Sequence, residues 1–458
     1  MLAGPWFATT PLKDRPAAWV ALATAAAAGL GIAAGAQTGA VAVTWLLAPA
    51  SMAVAIVRPA WGLIAALALA YGLPFAVVPV RLGTRPPILE LTLAAAVLAI
   101  VVRWVIFGRR FPLPGAGWTW AVAGVLAWWA LAVVVALRFG TGVEQVQYAS
   151  KLMLAVAAFV LAFVLAANRA LAHRAAAVIA VAGAGQSLLA TVMLMTREEA
   201  LPFFSALESA GYPDAGTALR YLSDQTTLRA IGTLVDPNIL GASLAIGVVI
   251  AVGLAARAGG RARYAWLAVA LLILPGLAFS LSRGAWLAAA AGLLILIWRH
   301  NRRWALLLIG VGTIATAFAP VEALEHLRSG LFARDESAAL RLDEFAEAYR
   351  VIGAAPVFGV GFPAEPPAAF FVGVSNSFLW TAEHIGLPGM SLSLGLALAA
   401  TIAGLRNAGR SRLAPVFAAA AVATLVAGLV DHHFASVPHM AILQWSLLGL
   451  AAGALRGD

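Results

Sequence analysis

PNILGASLAIGVVIAVGLAARAGGRARYAWLAVALLILPGLAFSLSRGAW, residues 237–286, decides the architecture. Two apolar runs, 237–256 and 264–281, approach the ~17–25 residues that a helix needs to cross a bilayer. Three arginines, Arg257, Arg261 and Arg263, lie between them, and Arg283 follows the second run with almost no loop before the next apolar stretch. Reading outward in both directions gives further runs at about 17–36, 39–57, 60–80, 88–107, 117–137, 150–168, 171–195, 284–299, 303–320, 376–404, 411–431 and 437–455. The expected fold is all-α, a polytopic transmembrane bundle of about 14 (12–14) spans forming one integral membrane domain over 1–458.

Charge orients this bundle. Numbering the connectors alternately, one set holds eighteen of the thirty Lys and Arg and only two acids, Asp14 and Asp458, a balance of +16. The other set holds twelve basic and eighteen acidic groups, or −6. The positive-inside rule puts the basic set in the cytoplasm, with both termini inside and the long loops outside. Composition agrees: 62% of residues are hydrophobic, 11% are charged, and mean hydropathy is +0.92. The pI near 10.9 reflects arginines in short linkers facing anionic headgroups rather than a nucleic-acid surface. Cysteine is absent, which excludes disulfides and thiolate chemistry. The opening MLAGPWFATTPLKDRP lacks the short apolar core of a removable signal peptide. Most tryptophans fall toward span ends, where indoles favour the interface.

Two connectors exceed the rest, 196–236 and 320–375, both on the acidic side, and long loops are usually functional or disordered. In the second, Leu340, Phe345, Ala348 and Val351 recur at near-helical spacing, predicting an amphipathic helix on the bundle or the membrane surface. PVFGVGFPAEPP follows, so this side is expected to carry a lid or cup.

Candidate site residues gather there. Arg283 stands at membrane depth, where a cation requires an anionic partner, and its planar fork matches phosphate oxygens; the structural alternative is an arginine snorkelling to the headgroups. Arg229 precedes Asp236-Pro237-Asn238, a helix start with Asp236 as N-cap. With Arg341 as a third cation, Arg229 and Arg283 are placed to bracket a lipid-linked diphosphate. Ser375 or Asn376 can cap the twelfth span, with Glu383 and His384 about two turns in. Asp431, His432, His433 and His439 lie near the last two spans and read as lining of the outer mouth, without metal-site spacing.

In this order, RAIGTLVDPNILG at 229–241, LSRGAW at 281–286, ALRLDEFAEAYRVIGAAPVFGVGF at 339–362 and SNSFLWTAEHIGLPG at 375–389 resemble the O-antigen ligase and polymerase family. The resemblance covers roughly the second half of the chain. It implies a glycosyltransferase of the bacterial inner membrane, working on the periplasmic face. The donor would be an undecaprenyl-diphosphate-linked glycan and the acceptor another glycan or a lipid A core. Arg229 and Arg283 would bind the diphosphate, and no cofactor or metal is expected. Family ligases place a His immediately before the Asn of the helix start, where this chain has Ser375, so polymerase is favoured over ligase. Glu383, His384 and Asp236 are the candidate catalytic groups, with Asn238, Asn376, His432 and His433 as further site candidates and Asp224 as another possible base. The competing classes are a lipid-linked oligosaccharide flippase or other transporter, which predicts related halves with interrupted helices, and a non-enzymatic membrane scaffold.

Overall fold

The computed structural model describes residues 39–78, 85–107, 114–140, 142–217, 219–222, 227–300, 302–303, 336–363, 373–406 and 411–453. The expected span at 17–36, most of that at 303–320, both termini and Asp224 lie outside the described residues.

The order is α1 (Gly39–Val57), α2 (Pro59–Gly72), α3 (Ile88–Val105), α4 (Ala116–Ala136), α5 (Val143–Ala166), α6 (Arg169–Thr196), α7 (Leu201–Glu208), β1 (Arg220–Tyr221), β2 (Leu228–Arg229), α8 (Pro237–Ala255), α9 (Gly260–Phe279), α10 (Arg283–His300), α11 (Glu336–Ala354), α12 (Ser377–Arg406), α13 (Ala414–Ala427), α14 (His433–Ser436) and α15 (Pro438–Gly453). Among the described residues, eight stretches are long and apolar enough to cross a membrane: α1, α3, α4, α5, α6 continuing through α7, α8, α9 and α12; α2 and α13 are shorter apolar helices. The protein is thus an all-α polytopic helical protein, and among the described residues a single two-residue antiparallel ribbon pairs Arg220 with Arg229.

Local sequence explains where the helices start. Asn168 and Asp236 accept hydrogen bonds from the two amides that open α6 and α8, and Pro sits in the first turn of α2, α8 and α13. These devices satisfy or remove amides that have no intrahelical partner.

Helix α8 forms the hub, with 89% of its spanning window buried. It is flanked by α6, α9, α10 and α13. Elsewhere α5 and α15 make the most extensive pairing. Gly449 and Gly453 lie there four residues apart, and a Cβ on either would collide with the backbone of Phe159 or Phe163. Lipid gives helices no hydrophobic reason to associate, so this close backbone approach and its dispersion contacts hold the pair.

The two ends of the bundle differ chemically. At one end Arg103 donates to the carbonyls of Ile56 and Val57, Arg174 lies 5.0 Å over the Trp61 ring, and the charges of Arg299 and Arg412 act on Arg257. At the other end the turn after α2, the 197–236 connector and the starts of α12 and α15 interlock: Val77 N–H donates to the Ala210 carbonyl, Phe75 meets the His439 ring edge-on, and Ser377 N–H donates to the Gly428 carbonyl. The acids Glu90, Asp236, Glu344 and Asp431 belong to this second end.

The expected amphipathic helix is α11, packed against α12. Its inward face differs in two positions from the spacing: Phe345 and Ala348 turn inward as expected, but Ile352 rather than Val351 is the buried residue of the last turn, and Leu340 is exposed. Trp128 and Trp129 are also exceptions to an interfacial role. They sit in mid-α4 and donate to the Ile385 carbonyl and the Ser393 hydroxyl, tying α4 to α12.

Candidate active site

Two sharp turns deliver the arginines. Arg229 ends β2, and the next residue, Ala230, donates its N–H to the Phe279 carbonyl, joining this strand to the end of α9. The guanidinium of Arg229 is fixed by two donors, Nε to the Ser280 carbonyl at 2.9 Å and Nη2 to Oδ1 of Asn238 at 2.8 Å. Its remaining donors are three of the five that a guanidinium offers. Arg283 is the exposed first residue of α10, behind a turn in which Leu281 adopts φ 51° and the Ser282 hydroxyl accepts from Ala285 N–H. Val235, immediately before Asp236, adopts φ 64°. Left-handed backbone at branched or bulky residues costs on the order of 1 kcal/mol or more and concentrates at functional sites. Both arginine-bearing turns carry it.

The three candidate arginines are brought together. Arg229 lies mostly buried, and burial lowers its pKa from the ordinary guanidinium value; Asp236 and Asp431 act in the opposite sense, while the positive charges of Arg283 and Arg341 lower it further. Three cations from α8's approach, α10 and α11 therefore share one electrostatic neighbourhood with two carboxylates. An arginine stays charged even so, and a dianionic ligand would relieve the repulsion.

Asp236 is the N-cap expected of it, accepting from the amides of Asn238 and Ile239 through Oδ1. Asn376, rather than Ser375, caps α12, accepting from Phe378 and Leu379 amides. Ser375 has a different tie, its N–H donating to Oε2 of Glu344 on α11 at 2.9 Å. Sequence reasoning did not single out Glu344, because a carboxylate in a charged amphipathic helix looks like solvated surface until the partner loop is in place.

Glu383 and His384 are adjacent in sequence but diverge in surroundings. The charged group acting on Glu383 is Glu347 of α11, and no interaction joins Glu383 to the arginines among the described residues. His384 stacks on Trp380 with ring centroids 4.1 Å apart, and its Nδ1 donates to the Trp380 carbonyl at 2.6 Å, leaving Nε2 for other work. His432 is near enough for its charge to act on His384.

Both residues lie on a broken helix. Gly386 adopts φ 75° inside α12, with Pro388 two residues on. The backbone groups released by that break are taken up by the PVFGVGF loop: the Glu383 and His384 carbonyls accept from Val360 and Gly361 N–H, and Leu387 N–H donates to the Pro356 carbonyl. A Cβ at Gly359 or Gly386 would strike the opposing backbone, so glycine is needed at both for the loop and the break to seat. Phe358 stacks on Trp128 across the same junction.

Asp431, His432 and His433 occupy the turn between α13 and α15. The Oδ1 of Asp431 lies 2.6 Å from Nδ1 of His433. Burial opposes charge on both, but their mutual attraction prevails, holding the Asp431 carboxyl below and the His433 imidazole above their ordinary values. Nδ1 of His432 pairs with the Ser436 hydroxyl at 2.6 Å. One donor atom from each of the three residues falls within 4.8 Å of the others, close enough to hold a metal ion, although each histidine already engages its Nδ1 within the cluster.

A family model described as O-antigen ligase matches residues 267–394, from mid-α9 through the break in α12, and this supports the O-antigen ligase/polymerase family. The matched stretch contains Arg283, Arg341, Glu383 and His384, while Arg229, Asp236 and the 431–439 cluster lie outside it. Among curated proteins the chain has no match.

Proposed function

We propose that this membrane glycosyltransferase-type protein transfers a glycan from an undecaprenyl-diphosphate-linked donor to an acceptor sugar hydroxyl at the acidic end of the bundle, on the periplasmic face of the bacterial inner membrane. The observation that carries the reading is the convergence of Arg283 and Arg341 on the fixed guanidinium of Arg229. These cations come from three segments far apart in sequence, and a diphosphate needs such an array when it leaves.

In the proposed inverting reaction the acceptor oxygen attacks the anomeric carbon and gives its proton to a base. The bond from that carbon to the diphosphate oxygen breaks, and its electron pair goes to the departing undecaprenyl diphosphate. Preorganised cations stabilise negative charge that develops beside them, so the arginines can serve without a metal. Asp236 is the base best supported by position, because its charge acts on both Arg229 and His433. His384 through Nε2 is the second candidate, and Glu383, facing Glu347, is the third. Asn238 holds Arg229, Asn376 sets the start of α12, and His432 and His433 line the mouth. Ser375 in place of the family ligases' histidine favours polymerisation over capping.

The test incubates purified protein with a lipid-linked repeat unit, with and without lipid A core. Chain growth supports polymerase, a single transfer to core decides for ligase, and absence of both overturns the transferase reading.

A further inference from the structure

On the far side of the α14 turn from the arginines, the structure holds a second feature that the diphosphate site does not use. A cavity of about 340 Å³ opens between the turn after α2 and the first turns of α3, α5 and α15. Its volume falls in the range of small-ligand sites. The lining is charged but balanced, with Arg85 and Lys151 against Glu90 and Glu144. Lys151 and Glu90 form a buried pair at 3.5 Å.

Two further lining atoms lack hydrogen-bond partners among the described residues. Nε2 of His439, a side chain only 3% exposed, has no hydrogen-bond partner among the described residues, and neither does the buried Oε1 of Gln147. Buried polar atoms are nearly always paired, so these two mark where something else completes the wall. Phe75 adds an aromatic face, meeting the His439 ring edge-on at 5.1 Å.

We infer that this cavity is a saccharide site that seats the acceptor glycan. An uncharged ligand rich in hydroxyls suits walls whose charges already cancel and whose orphan atoms want a donor and an acceptor. A phosphate does not, because Lys151 is already paired with Glu90 and Glu144 offsets Arg85, leaving no net positive charge to hold it. The position suits an acceptor in particular, and here the inference rests on the proposed transfer reaction. Inversion requires nucleophile and leaving group on opposite faces of the anomeric carbon. The turn at 431–436 reaches both sites: the Asp431 charge acts on Arg229, and Ser436 lines the cavity next to Val437 and His439. The Ser436 carbonyl in that turn accepts from the Tyr148 hydroxyl, fixing α14 to the cavity wall.

The experiment uses the full chain in nanodiscs, with two probes: the oligosaccharide released by mild acid from the host's own lipid-linked repeat unit, and sodium pyrophosphate. Glu144→Trp places bulk at an exposed rim position, and Gln147→Leu removes one orphan atom. Melting temperatures check that both variants remain folded. Oligosaccharide affinity is expected to fall at least tenfold in both variants while pyrophosphate affinity stays within twofold, and in turnover the acceptor KM rises with the donor KM unchanged. The cavity assignment is overturned if the wild-type protein does not bind the oligosaccharide, if Glu144→Trp binds it equally well, or if pyrophosphate displaces it. Wild-type binding sensitive to Glu144→Trp without any glycosyl transfer would sink the transferase reading and leave the cavity standing. Active transfer with an unchanged acceptor KM in Glu144→Trp would do the reverse.

Discussion

Arg229 and Asn238 are nine residues apart, and the Nη2–Oδ1 hydrogen bond between them, at 2.8 Å, spans the turn that opens α8. The same guanidinium is held by the Ser280 carbonyl behind Arg283. One side chain thus couples the two turns that carry the candidate diphosphate-binding groups. Asn238→Leu should leave α8 capped by Asp236 and Nε of Arg229 on the Ser280 carbonyl yet release its Nη2 end, lowering kcat/KM about tenfold, the cost of roughly one charge-assisted hydrogen bond. Pyrophosphate affinity measured by calorimetry should fall in parallel; an unchanged value would detach Arg229 from the ligand.

Arg283→Lys keeps the charge and loses the planar fork. If the fork grips phosphate oxygens in pairs, transfer should drop by about 10–100-fold, in line with the ~1.5–3 kcal/mol of hydrogen bonds to charged groups. Steady-state rates with the lipid-linked donor check this, and wild-type turnover in the variant would count against the phosphate role.

Asp236→Asn separates cap from base, since asparagine is an equally good N-cap. The melting temperature should stay within a few degrees while the rate falls about 10²–10⁴-fold, the usual share of general-base catalysis. A comparable loss in His384→Gln with Asp236→Asn active would move the base to the histidine.

The Asp431–His433 pair makes stability depend on pH in a defined direction. His433 is held above its ordinary value of about 6.5, so its contribution is complete below that pH and is lost as pH rises through the elevated value. Asp431 is held below its ordinary value of about 3.9, so its share is present above that pH and disappears as acid reaches the depressed value. Between these limits His433→Gln should melt below wild type, with the gap narrowing toward alkaline pH. A gap independent of pH would show that the pair is not ionised. The same cluster allows a direct check of metal independence: transfer should survive exhaustive chelation, and loss reversed by a divalent ion would assign Asp431, His432 and His433 to a metal.

Gly386→Ala should destabilise by roughly 2 kcal/mol or more, because a left-handed φ and the facing Val357 backbone both exclude a Cβ. Thermal melting in detergent measures it. An unperturbed melting temperature would mean that the 356–362 loop does not seat on the helix break.

Much of this architecture is legible from the chain alone. Apolar runs of bilayer length, Asp236-Pro237 at a helix start and arginines on alternate connectors are local or periodic signals, and each follows from one-dimensional requirements for length, capping and charge. Leu340 shows the limit: its spacing fits the apolar face of α11, yet it is exposed, since spacing cannot say which positions a neighbouring element covers. Tertiary structure alone decided that Glu383 and His384 have different neighbours, that Glu344 receives Ser375, and that a charge-balanced hollow forms beside His439. The physical reason is range. Helix formation and membrane insertion are satisfied within about twenty residues, whereas a polar site is completed by groups hundreds of positions apart, brought together only when small-residue helix faces pack and a broken helix lends its carbonyls to a distant loop.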